Sequence, residues 1–325
     1  MKSILVTGGG GYIGSHAVRE LARSGYHPIS LDNLSKGHEK AVLAGDFIQG
    51  EIADEELLDT IFQEHKVDAV MHFAALSEVG ESVDNPRLYY EQNVVNSLTL
   101  LGVMLRHGVR KFVLSSTCAT YGDPQRIPID ETHPLNPVNP YGESKLVVER
   151  VLREYDRAYG LSFVSLRYFN AAGASLDAQL GESHDPESHL IPRILKVAKG
   201  DLVKLQVYGD DYPTPDGTCV RDYIHVLDLA SGHVAAYQWL CEGHDSEVFN
   251  LGTGQGVSVM ELVEAARKLT DREIPLEVSA RRPGDPSHLV ADPGKAQQRL
   301  GWKSEHSDVE TLLSTAWAWE QNRRY

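Results

Sequence analysis

The sequence predicts an α/β fold in which a doubly wound, mostly parallel sheet is joined to a smaller C-terminal α/β substrate-binding region. Three observations predict it. A glycine-rich turn follows the first apolar run, short apolar runs then alternate with helical patterns, and the chain becomes small, polar and broken beyond Asn170. Alternating strands and helices are typical of a parallel sheet that is covered by helices on both faces.

The first element is a strand at residues 4–6 that ends in the glycine-rich turn. Gly8, Gly11 and Gly14 have GxxGxxG spacing where the strand gives way to a helix. Glycine allows a tight turn and a close approach of the backbone to a diphosphate, and the helix N-terminus offers unpaired N–H groups. A flexible glycine loop without a ligand is the alternative, because this motif is weak by itself.

The second apolar run, residues 27–31, ends in Asp32, eighteen residues after Gly14. An acidic side chain near this offset accepts a hydrogen bond from an adenosine ribose 2′-hydroxyl and repels a 2′-phosphate. The pattern therefore favours NAD over NADP as the cofactor. The alternative is that Asp32 is a solvated loop residue.

The remaining elements continue the alternation and define two regions. We assign residues 1–170 to a dinucleotide-binding domain and residues 171–325 mainly to a substrate domain, with a return to the first sheet near residues 222–250. Ligands of such sheets bind at the carboxyl ends of the strands. The predicted strands are residues 47–49, 69–73, 109–114, 163–166, 203–207, 222–226, 248–251 and 276–278, and the predicted helices are residues 55–65, 86–107, 143–159, 191–199, 227–240, 259–269 and 309–321.

Composition and charge limit the classes of partner. The formal net charge of −15 makes nucleic acid or an anionic membrane surface an unexpected partner. The cysteines Cys118, Cys219 and Cys241 are widely spaced and form no CxxC pair, which fits a reducing cytoplasm better than a disulfide framework. The N-terminus lacks a signal-peptide pattern and no run of eighteen apolar residues occurs, so we expect no membrane association. We expect no catalytic metal either, because no HExxH motif or cluster of His and Cys ligands is found.

The residues best suited to catalysis follow a predicted strand. Ser115, Ser116 and Thr117 place hydroxyl groups at its carboxyl end, and Tyr141 and Lys145 come later in PYGESK. Residues four apart lie on one face of a helix, so the ammonium stands beside the phenol. A neighbouring lysine and a positively charged nicotinamide favour the phenolate, which makes Tyr141 a general base. The alternative is an ordinary amphipathic helix with a packed tyrosine.

Several segments together resemble the UDP-glucose 4-epimerase family of the extended short-chain dehydrogenases/reductases. The resemblance runs from residue 1 to about residue 320, and the later motifs are more specific than the glycine turn. It implies a Rossmann domain and bound NAD. The segments are TGGGGYIGSH, DNLS, HFAAL followed by VGES, SSTCATYG, PYGESK, LRYFNAAGA, DGTCVRDYIHVLDLA, NLGTG and RRPGDP.

The resemblance implies an isomerase that interconverts UDP-galactose and UDP-glucose. Tyr141 would take the proton of the sugar 4-hydroxyl group while hydride leaves C4 for the nicotinamide, and the 4-keto sugar would turn and receive hydride on its other face. Thr117 would hydrogen-bond the C4 oxygen, and Lys145 would hold the nicotinamide ribose. The implied partners are a UDP-sugar and a second copy of the chain in a homodimer.

The resemblance also implies the residues that contact each ligand. Asn170, Arg221 and Arg282 would hold the substrate diphosphate, because bidentate arginine geometry suits phosphate. Leu190 and Tyr208 would line the uracil pocket, and Asp285 would take a ribose hydroxyl. The implied cofactor contacts are Gly8, Gly11, Tyr12, Ile13, Gly14, Asp32, Asn33, Glu51, Ile52, Phe73, Ala74, Ala75, Asn93, Ser115, Tyr141, Lys145 and Tyr168. The implied substrate contacts are Thr117, Tyr141, Asn170, His189, Leu190, Tyr208, Arg221, Arg282, Asp285 and Leu289.

Four positions depart from the family pattern. Thr117 stands where serine is frequent, Ser77 takes the place of a lysine found in some members, and Glu51 replaces a common aspartate. Leu289 stands where some members have a bulky tyrosine that limits the sugar pocket. We therefore hypothesise that the N-acetylated UDP-sugars also interconvert, although Leu289 as plain core is an equal alternative.

Two other functions remain open. A nucleotide-sugar 4,6-dehydratase uses the same Tyr/Lys pair, but those enzymes place Asp and Glu directly after the catalytic threonine, where this chain has Cys118 and Ala119. A non-catalytic dinucleotide sensor uses the fold for binding alone and has no need for Tyr141 and Lys145. His72 lies inside an apolar run, and we expect it to be structural.

Overall fold

The computed structural model describes residues 1–282 and 285–325. The strands, in chain order, are β1 (Ser3–Thr7), β2 (His27–Asp32), β3 (Asp46–Gln49), β4 (Val67–His72), β5 (Lys111–Thr117), β6 (Ser162–Tyr168), β7 (Asn170–Ala172), β8 (Leu205–Tyr208), β9 (Val220–Arg221), β10 (Tyr223–His225), β11 (Glu247–Leu251), β12 (Val257–Ser258), β13 (Leu276–Ser279) and β14 (His288–Leu289). The α-helices are α1 (Tyr12–Arg23), α2 (Glu55–His65), α3 (Val79–Asp84), α4 (Pro86–Tyr89), α5 (Asn96–Arg106), α6 (Pro140–Tyr159), α7 (Leu190–Lys199), α8 (Val226–Cys241), α9 (Val259–Thr270) and α10 (Val309–Gln321). Short 3₁₀ segments cover Glu39–Ala41 and Cys118–Thr120, and π-helical segments cover Tyr90–Val95 and Ala296–Leu300.

A seven-stranded parallel sheet forms the centre of the molecule. Its strand order is β11-β6-β5-β4-β1-β2-β3, and neighbouring strands run in the same direction. The strand order reverses between β1 and β4, because β2 and β3 lie on one side of β1 and the later strands lie on the other. This switch point leaves a crevice at the carboxyl ends of β1 and β4. The predicted doubly wound α/β fold is confirmed. The strands predicted in residues 1–170 all form, with ends shifted by no more than three residues.

Two predicted elements differ in the structure. The candidate strand at 222–226 does not join the large sheet: β10 pairs with β7 in a separate two-stranded sheet, because β11 already occupies the position beside β6. The single helix predicted at 86–107 is interrupted at Tyr90–Val95, where the backbone widens into a π-helical turn between α4 and α5. Such turns occur inside α-helices at functional sites more often than elsewhere.

The large sheet buries a separate hydrophobic cluster on each face. Ile4 and Val6 point towards α1 and α8, whereas Leu5 between them points towards α2, α5 and α6. This alternation follows from the two-residue period of a strand and explains why strands covered on both faces are continuously apolar. A third cluster joins α7, α9 and α10 to β8 in the C-terminal region. The helices of that region therefore have their own core.

Helix α6 carries the residues predicted for catalysis, and local sequence fixes both of its ends. The Asn139 side chain accepts a hydrogen bond from the Gly142 N–H at 2.8 Å, and Pro140 occupies the first turn, where its missing N–H costs nothing. Gly160 ends the helix in the left-handed conformation with φ 65°. The helix therefore begins three residues earlier than its apolar pattern predicts.

A buried ion pair fastens α6 to the sheet. Glu149 accepts hydrogen bonds from Arg167 of β6, at 2.9 Å from Nε to Oε1 and 2.5 Å from Nη2 to Oε2, and both side chains are 1% exposed. Ser116 of β5 donates a further hydrogen bond to Glu149 Oε1 at 2.6 Å. The guanidinium also lies over the ring of Tyr121 at 4.9 Å. One carboxylate thus connects α6 to two adjacent strands.

No helix in the described part of the chain is both long and apolar enough to span a membrane. The longest helix, α6, has Glu143, Arg150 and Arg157 in surface ion pairs. These charges agree with a helix that packs one face on the sheet and exposes the other to water.

Replacing Glu149 by glutamine is expected to lower the free energy of unfolding by about 3 kcal/mol, because the Arg167 guanidinium would stay buried without its counter-charge. The measurement is the urea-unfolding midpoint by circular dichroism. Glu154→Gln is the matched control on the same helix, since the Glu154–Arg157 pair is mostly exposed and should contribute less than about 1 kcal/mol. Equal losses in the two variants would contradict the importance of the buried pair.

Candidate active site

A cavity of about 710 Å³ opens at the crevice where the strand order reverses. Its wall extends from the glycine turn, past the carboxyl ends of β4 and β5, to the first residues of α7 and to β14. This volume is within the range of small-molecule sites. Every residue predicted to contact cofactor or substrate lies in this wall except Asn93, Tyr208 and Arg282.

The glycine turn leaves room for a ligand because side chains are absent from it. Gly8 has φ +75°, and a Cβ atom there would lie 2.7 Å from the Ala74 nitrogen. A Cβ at Gly14 would lie 2.1 Å from the Gly8 oxygen, so the start of α1 packs directly on the end of β1. The N-cap residue Gly11 offers no side chain to the first N–H groups of α1. These free donors and the helix dipole fit a diphosphate.

Asp32 stands beside the turn in a fixed orientation. Its Oδ2 accepts a hydrogen bond from the Gly10 N–H at 2.9 Å, and its Oδ1 accepts one from the Leu34 N–H at 2.8 Å. Each carboxylate oxygen has a second lone pair, so the group can still accept a ribose hydroxyl. Asn33 donates to both Glu51 oxygens at 3.1 Å, and this pair lines the same end of the cavity. The arrangement fits the adenosine half of NAD.

The other end of the expected cofactor site contains Lys145 and two hydroxyl groups. Lys145 is 4% exposed, and its Nζ donates to the Ser115 carbonyl at 3.0 Å. Ser115 Oγ and the Tyr168 hydroxyl are 2.8 Å apart and share a hydrogen bond. Burial lowers the pKa of Lys145 to about 8, although Glu149 opposes this shift. The ammonium is therefore still the main form at neutral pH.

Tyr141 does not acquire a low pKa from the protein alone. Burial raises the pKa of its phenol well above the ordinary value, Tyr168 adds to this rise, and a hydrogen bond with Thr117 opposes it. The Lys145 ammonium donates to the Ser115 carbonyl, and its effect on the phenolate stays a prediction, as does that of an oxidised nicotinamide.

The opposite wall of the cavity carries the residues expected to hold a nucleotide sugar. Arg221 is 7% exposed and pairs with the Asp285 carboxylate, which also accepts a hydrogen bond from Arg282 at 3.1 Å. Asn170 and Leu190 line this side as well. The guanidinium and carboxylate together offer donors for phosphate and an acceptor for a hydroxyl group. An acidic chain thus presents a local cation at the site where an anionic ligand is expected.

Three of the expected contact residues do not line the cavity. Asn93 is buried, exchanges hydrogen bonds with the backbone of Leu76 at 2.8 and 3.0 Å, and donates to Ser144 Oγ at 3.0 Å. It therefore shapes the loop after β4. Arg282 stacks over the ring of Tyr208 at 4.8 Å, next to Asp285. Direct contacts of these three residues with a ligand stay predictions.

His72 has a structural role, as expected. Its Nδ1 is 2.7 Å from Thr7 Oγ1 and its Nε2 is 3.0 Å from Ser97 Oγ, so both ring nitrogens have partners in the core. Burial lowers its pKa to about 3, and the ring stays neutral.

Other residues of the cavity wall were missed from the sequence. Lys36 lies near Asp32, and Glu78, Glu182 and His184 contribute charged or titratable groups. Lys36 follows Asp32 by four residues in DNLSK, so its place after β2 was a usable signal. The other three come from segments without a strand or helix pattern, and only the folded chain brings them to the cavity.

Comparison with known proteins identifies the family. Residues 4–252 match the family described as the NAD dependent epimerase/dehydratase family, and the chain belongs to it. UDP-glucose 4-epimerase from Halalkalibacterium halodurans is 52% identical over 98% of this chain and 96% of its own. The crystal structure of UDP-glucose 4-epimerase from Brucella ovis in complex with NAD has a TM-score of 0.96 and 50% identity over 98% of both chains. The structure of UDP-glucose 4-epimerase from Bifidobacterium longum in complex with NAD⁺ and UDP has a TM-score of 0.93 and 42% identity over 99% of both chains.

Proposed function

We propose that this chain is an isomerase that interconverts UDP-galactose and UDP-glucose by inverting C4, with NAD as its cofactor. The observation that carries the proposal is the meeting of Tyr141, Thr117 and Lys145 in one cavity, between the glycine turn and the Arg221–Asp285 pair. The relatives described above support the same reaction, because two of them bear the name UDP-glucose 4-epimerase and were solved with NAD.

Different residues of the cavity would carry out different parts of the reaction. When bound, NAD would accept hydride from C4 and return it to either face of the 4-keto sugar. Tyr141 would take the proton of the 4-hydroxyl group as its phenolate, and Thr117, whose side chain acts to lower the pKa of this phenol, would hold the C4 oxygen. Lys145 would place its ammonium at the nicotinamide ribose. Burial of the phenol keeps competing water away from the proton transfer.

The glycine turn and Asp32 would hold the cofactor, whereas the opposite wall would hold the nucleotide of the substrate. Arg221 would bind the diphosphate, Asp285 would accept a ribose hydroxyl, and Leu190 would line the uracil pocket. Only the sugar would be left free between these walls. This division suits the reaction, because the 4-keto sugar must turn while its nucleotide stays anchored.

Dehydration is not favoured by the residues after Thr117. Cys118 and Ala119 begin a 3₁₀ turn, and Ala119 donates its N–H to Thr117 Oγ1 at 3.1 Å. Burial raises the pKa of the Cys118 thiol to about 12, so it stays protonated and cannot serve as a base. This turn therefore lacks the acid and base that loss of the C6 hydroxyl requires.

We also propose that the sugar pocket accepts an N-acetyl group. Leu289 is half-buried in the cavity wall beside Arg221, with which it is paired in register. It packs against the small cluster of Tyr121, Ile129 and Phe169. A branched aliphatic side chain at this position leaves space that an aromatic ring would fill.

We further propose a homodimer and a cytoplasmic location. Val95, Leu98 and Tyr159 are 53%, 38% and 54% exposed, and they lie on or beside the long helices α5 and α6. A second copy of the chain is the expected cover for these exposed apolar side chains. Cys118, Cys219 and Cys241 are free thiols, which supports a reducing compartment.

Purified protein without added NAD is expected to convert UDP-galactose to UDP-glucose. The measurement is proton NMR of the anomeric signals. Tyr141→Phe should lower the turnover rate by at least about 100-fold, because the general base is lost. Thr117→Ser is the matched control, since it keeps the hydroxyl group and should stay active. A 4-keto-6-deoxy product would contradict the epimerase proposal, and absence of any product with UDP-sugars and NAD would favour a binding role.

Leu289→Tyr is expected to lower kcat/KM for UDP-N-acetylgalactosamine by about 10-fold or more, because the ring would occupy the space for the acetyl group. UDP-galactose turnover by the same variant is the internal control and should change little. Both rates are measured by the NMR assay. If the unsubstituted protein does not turn over the acetylated sugar, the pocket proposal is wrong while the epimerase proposal stands.

Leu98→Asp is expected to convert the homodimer into a monomer, because a charge would be buried in the interface. Sedimentation velocity measures the mass of the unsubstituted protein and of the variant. Val203→Asp is the control, since Val203 is 87% exposed and lies outside α5 and α6. A monomeric unsubstituted protein at micromolar concentration would contradict the dimer.

A further inference from the structure

A cluster of four metal-ligating side chains lies at the edge of the cavity, outside the residues assigned to catalysis. Glu182, His184, Glu187 and His189 belong to the segment between β7 and α7. One ligand atom from each side chain lies within 4.8 Å of the others. The sequence ESHDPESH contains Glu-x-His twice, with the two copies five residues apart. This repeat is a sequence pattern from which the cluster could have been predicted.

The spacing of these atoms is close to that of a tetrahedral zinc site. Bonds of about 2.0–2.2 Å to nitrogen and oxygen place neighbouring ligand atoms about 3.3 Å apart. His184 Nδ1 lies 3.1 Å from Glu182 Oε1, and His189 Nδ1 lies 3.6 Å from Glu187 Oε1. His189 Nδ1 is nearer still to Glu182 Oε1, at 2.5 Å. Shifts of about 1 Å or less in these pair distances would meet the tetrahedral geometry.

The cluster also contains a buried carboxylate oxygen without a partner. The Glu187 side chain is only 2% exposed, and its Oε2 has no hydrogen-bond partner among the described residues. His184 Nδ1 is also buried, and its contact with Glu182 Oε1 at 3.1 Å lacks the geometry of a hydrogen bond. Glu182, at 6% side-chain exposure, brings a second carboxylate to the same place. Buried carboxylates are usually paired with a cation or coordinate a metal, and here Glu182 contacts both histidines whereas Glu187 Oε2 has no partner among the described residues.

We propose that Glu182, His184, Glu187 and His189 bind one divalent transition-metal cation, for which Zn²⁺ is the best match. Two imidazoles favour a transition metal over Mg²⁺ or Ca²⁺, which prefer oxygen ligands alone. Two carboxylates balance the charge of the ion. Four protein ligands fill a tetrahedral shell, so the site is structural and leaves no position for a reacting water.

The ion would fasten a segment that connects the two halves of the cavity wall. Lys36 Nζ donates to the Asp185 carbonyl at 3.2 Å, and Ser188 Oγ donates to Glu78 at 2.9 Å, so the segment contacts the cofactor-binding half. On its other side, Trp319 Nε1 donates to the Glu182 carbonyl at 2.8 Å. The four residues are thus positioning residues for the rim of the cavity. His189, which we also expect near the substrate, would be held by the ion.

Metal binding to the untagged full-length protein tests this proposal. The protein is treated with EDTA, exchanged into chelator-free buffer and titrated with ZnCl₂ by calorimetry, and bound zinc is counted by mass spectrometry after desalting. We expect one zinc per chain and a higher melting temperature with zinc. Cobalt(II) in place of zinc should give the intense visible absorption of a tetrahedral site.

Glu187→Gln keeps the shape of the side chain and removes the charged ligand, so we expect at least about a 100-fold loss of zinc affinity. His184→Gln is a second variant with the same expectation. Their melting temperatures without zinc show that they are folded. Because binding is measured without substrate, this result is independent of the epimerase assay.

His65→Gln is the matched control. His27, Asp46 and His65 form a second, more exposed group of possible ligands, and loss of His65 should leave zinc binding unchanged. Zinc binding that survives in Glu187→Gln but is lost in His65→Gln would overturn the proposal and assign the ion to the exposed group. A protein that retains no zinc after desalting would overturn it as well.

Discussion

The position of the active site depends on the buried contact between Glu149, Arg167 and Ser116. A charged pair inside a protein is stable only when its hydrogen bonds are complete, and here the carboxylate accepts from both strands beside it. Lys145 and Tyr141 lie one and two turns before Glu149 on the same helix, so this contact sets their height above the carboxyl edge of the sheet. The geometry that we propose for catalysis therefore depends on how one helix is fastened to two strands.

Burial has opposite effects on the two titratable groups of that helix. It lowers the pKa of Lys145 to about 8 and raises the pKa of Tyr141, so it disfavours the charged form of each. The protein by itself thus keeps the phenol protonated. A neighbouring positive charge would favour the phenolate, and we propose that the oxidised cofactor supplies one in addition to Lys145. The low-polarity surroundings would strengthen this interaction.

Local patterns predicted the nucleotide-binding half well because each signal acts within a few residues. Gly8 and Gly14 were recognisable because only glycine fits a turn where a Cβ would lie 2–3 Å from backbone atoms. Asp32 was recognisable by its offset from that turn. Asn93 does not line the cavity, because its amide exchanges hydrogen bonds with the backbone of Leu76, and its contact with the cofactor stays a prediction. The hydrogen-bond partners of a buried amide depend on tertiary packing, and no periodic pattern in the sequence predicts them.

The sequence by itself determined the doubly wound sheet, the glycine turn, and the Tyr141 and Lys145 pair on one helical face, since all of these follow from spacing along the chain. Only the tertiary structure decided that β11 rather than β10 lies beside β6, and that Lys145 is directed to Ser115. It also brought Glu182 and Glu187 together with two histidines at the rim of the cavity. The physical reason is that strand position, hydrogen-bond partners and side-chain clusters in irregular segments depend on contacts between residues distant in sequence.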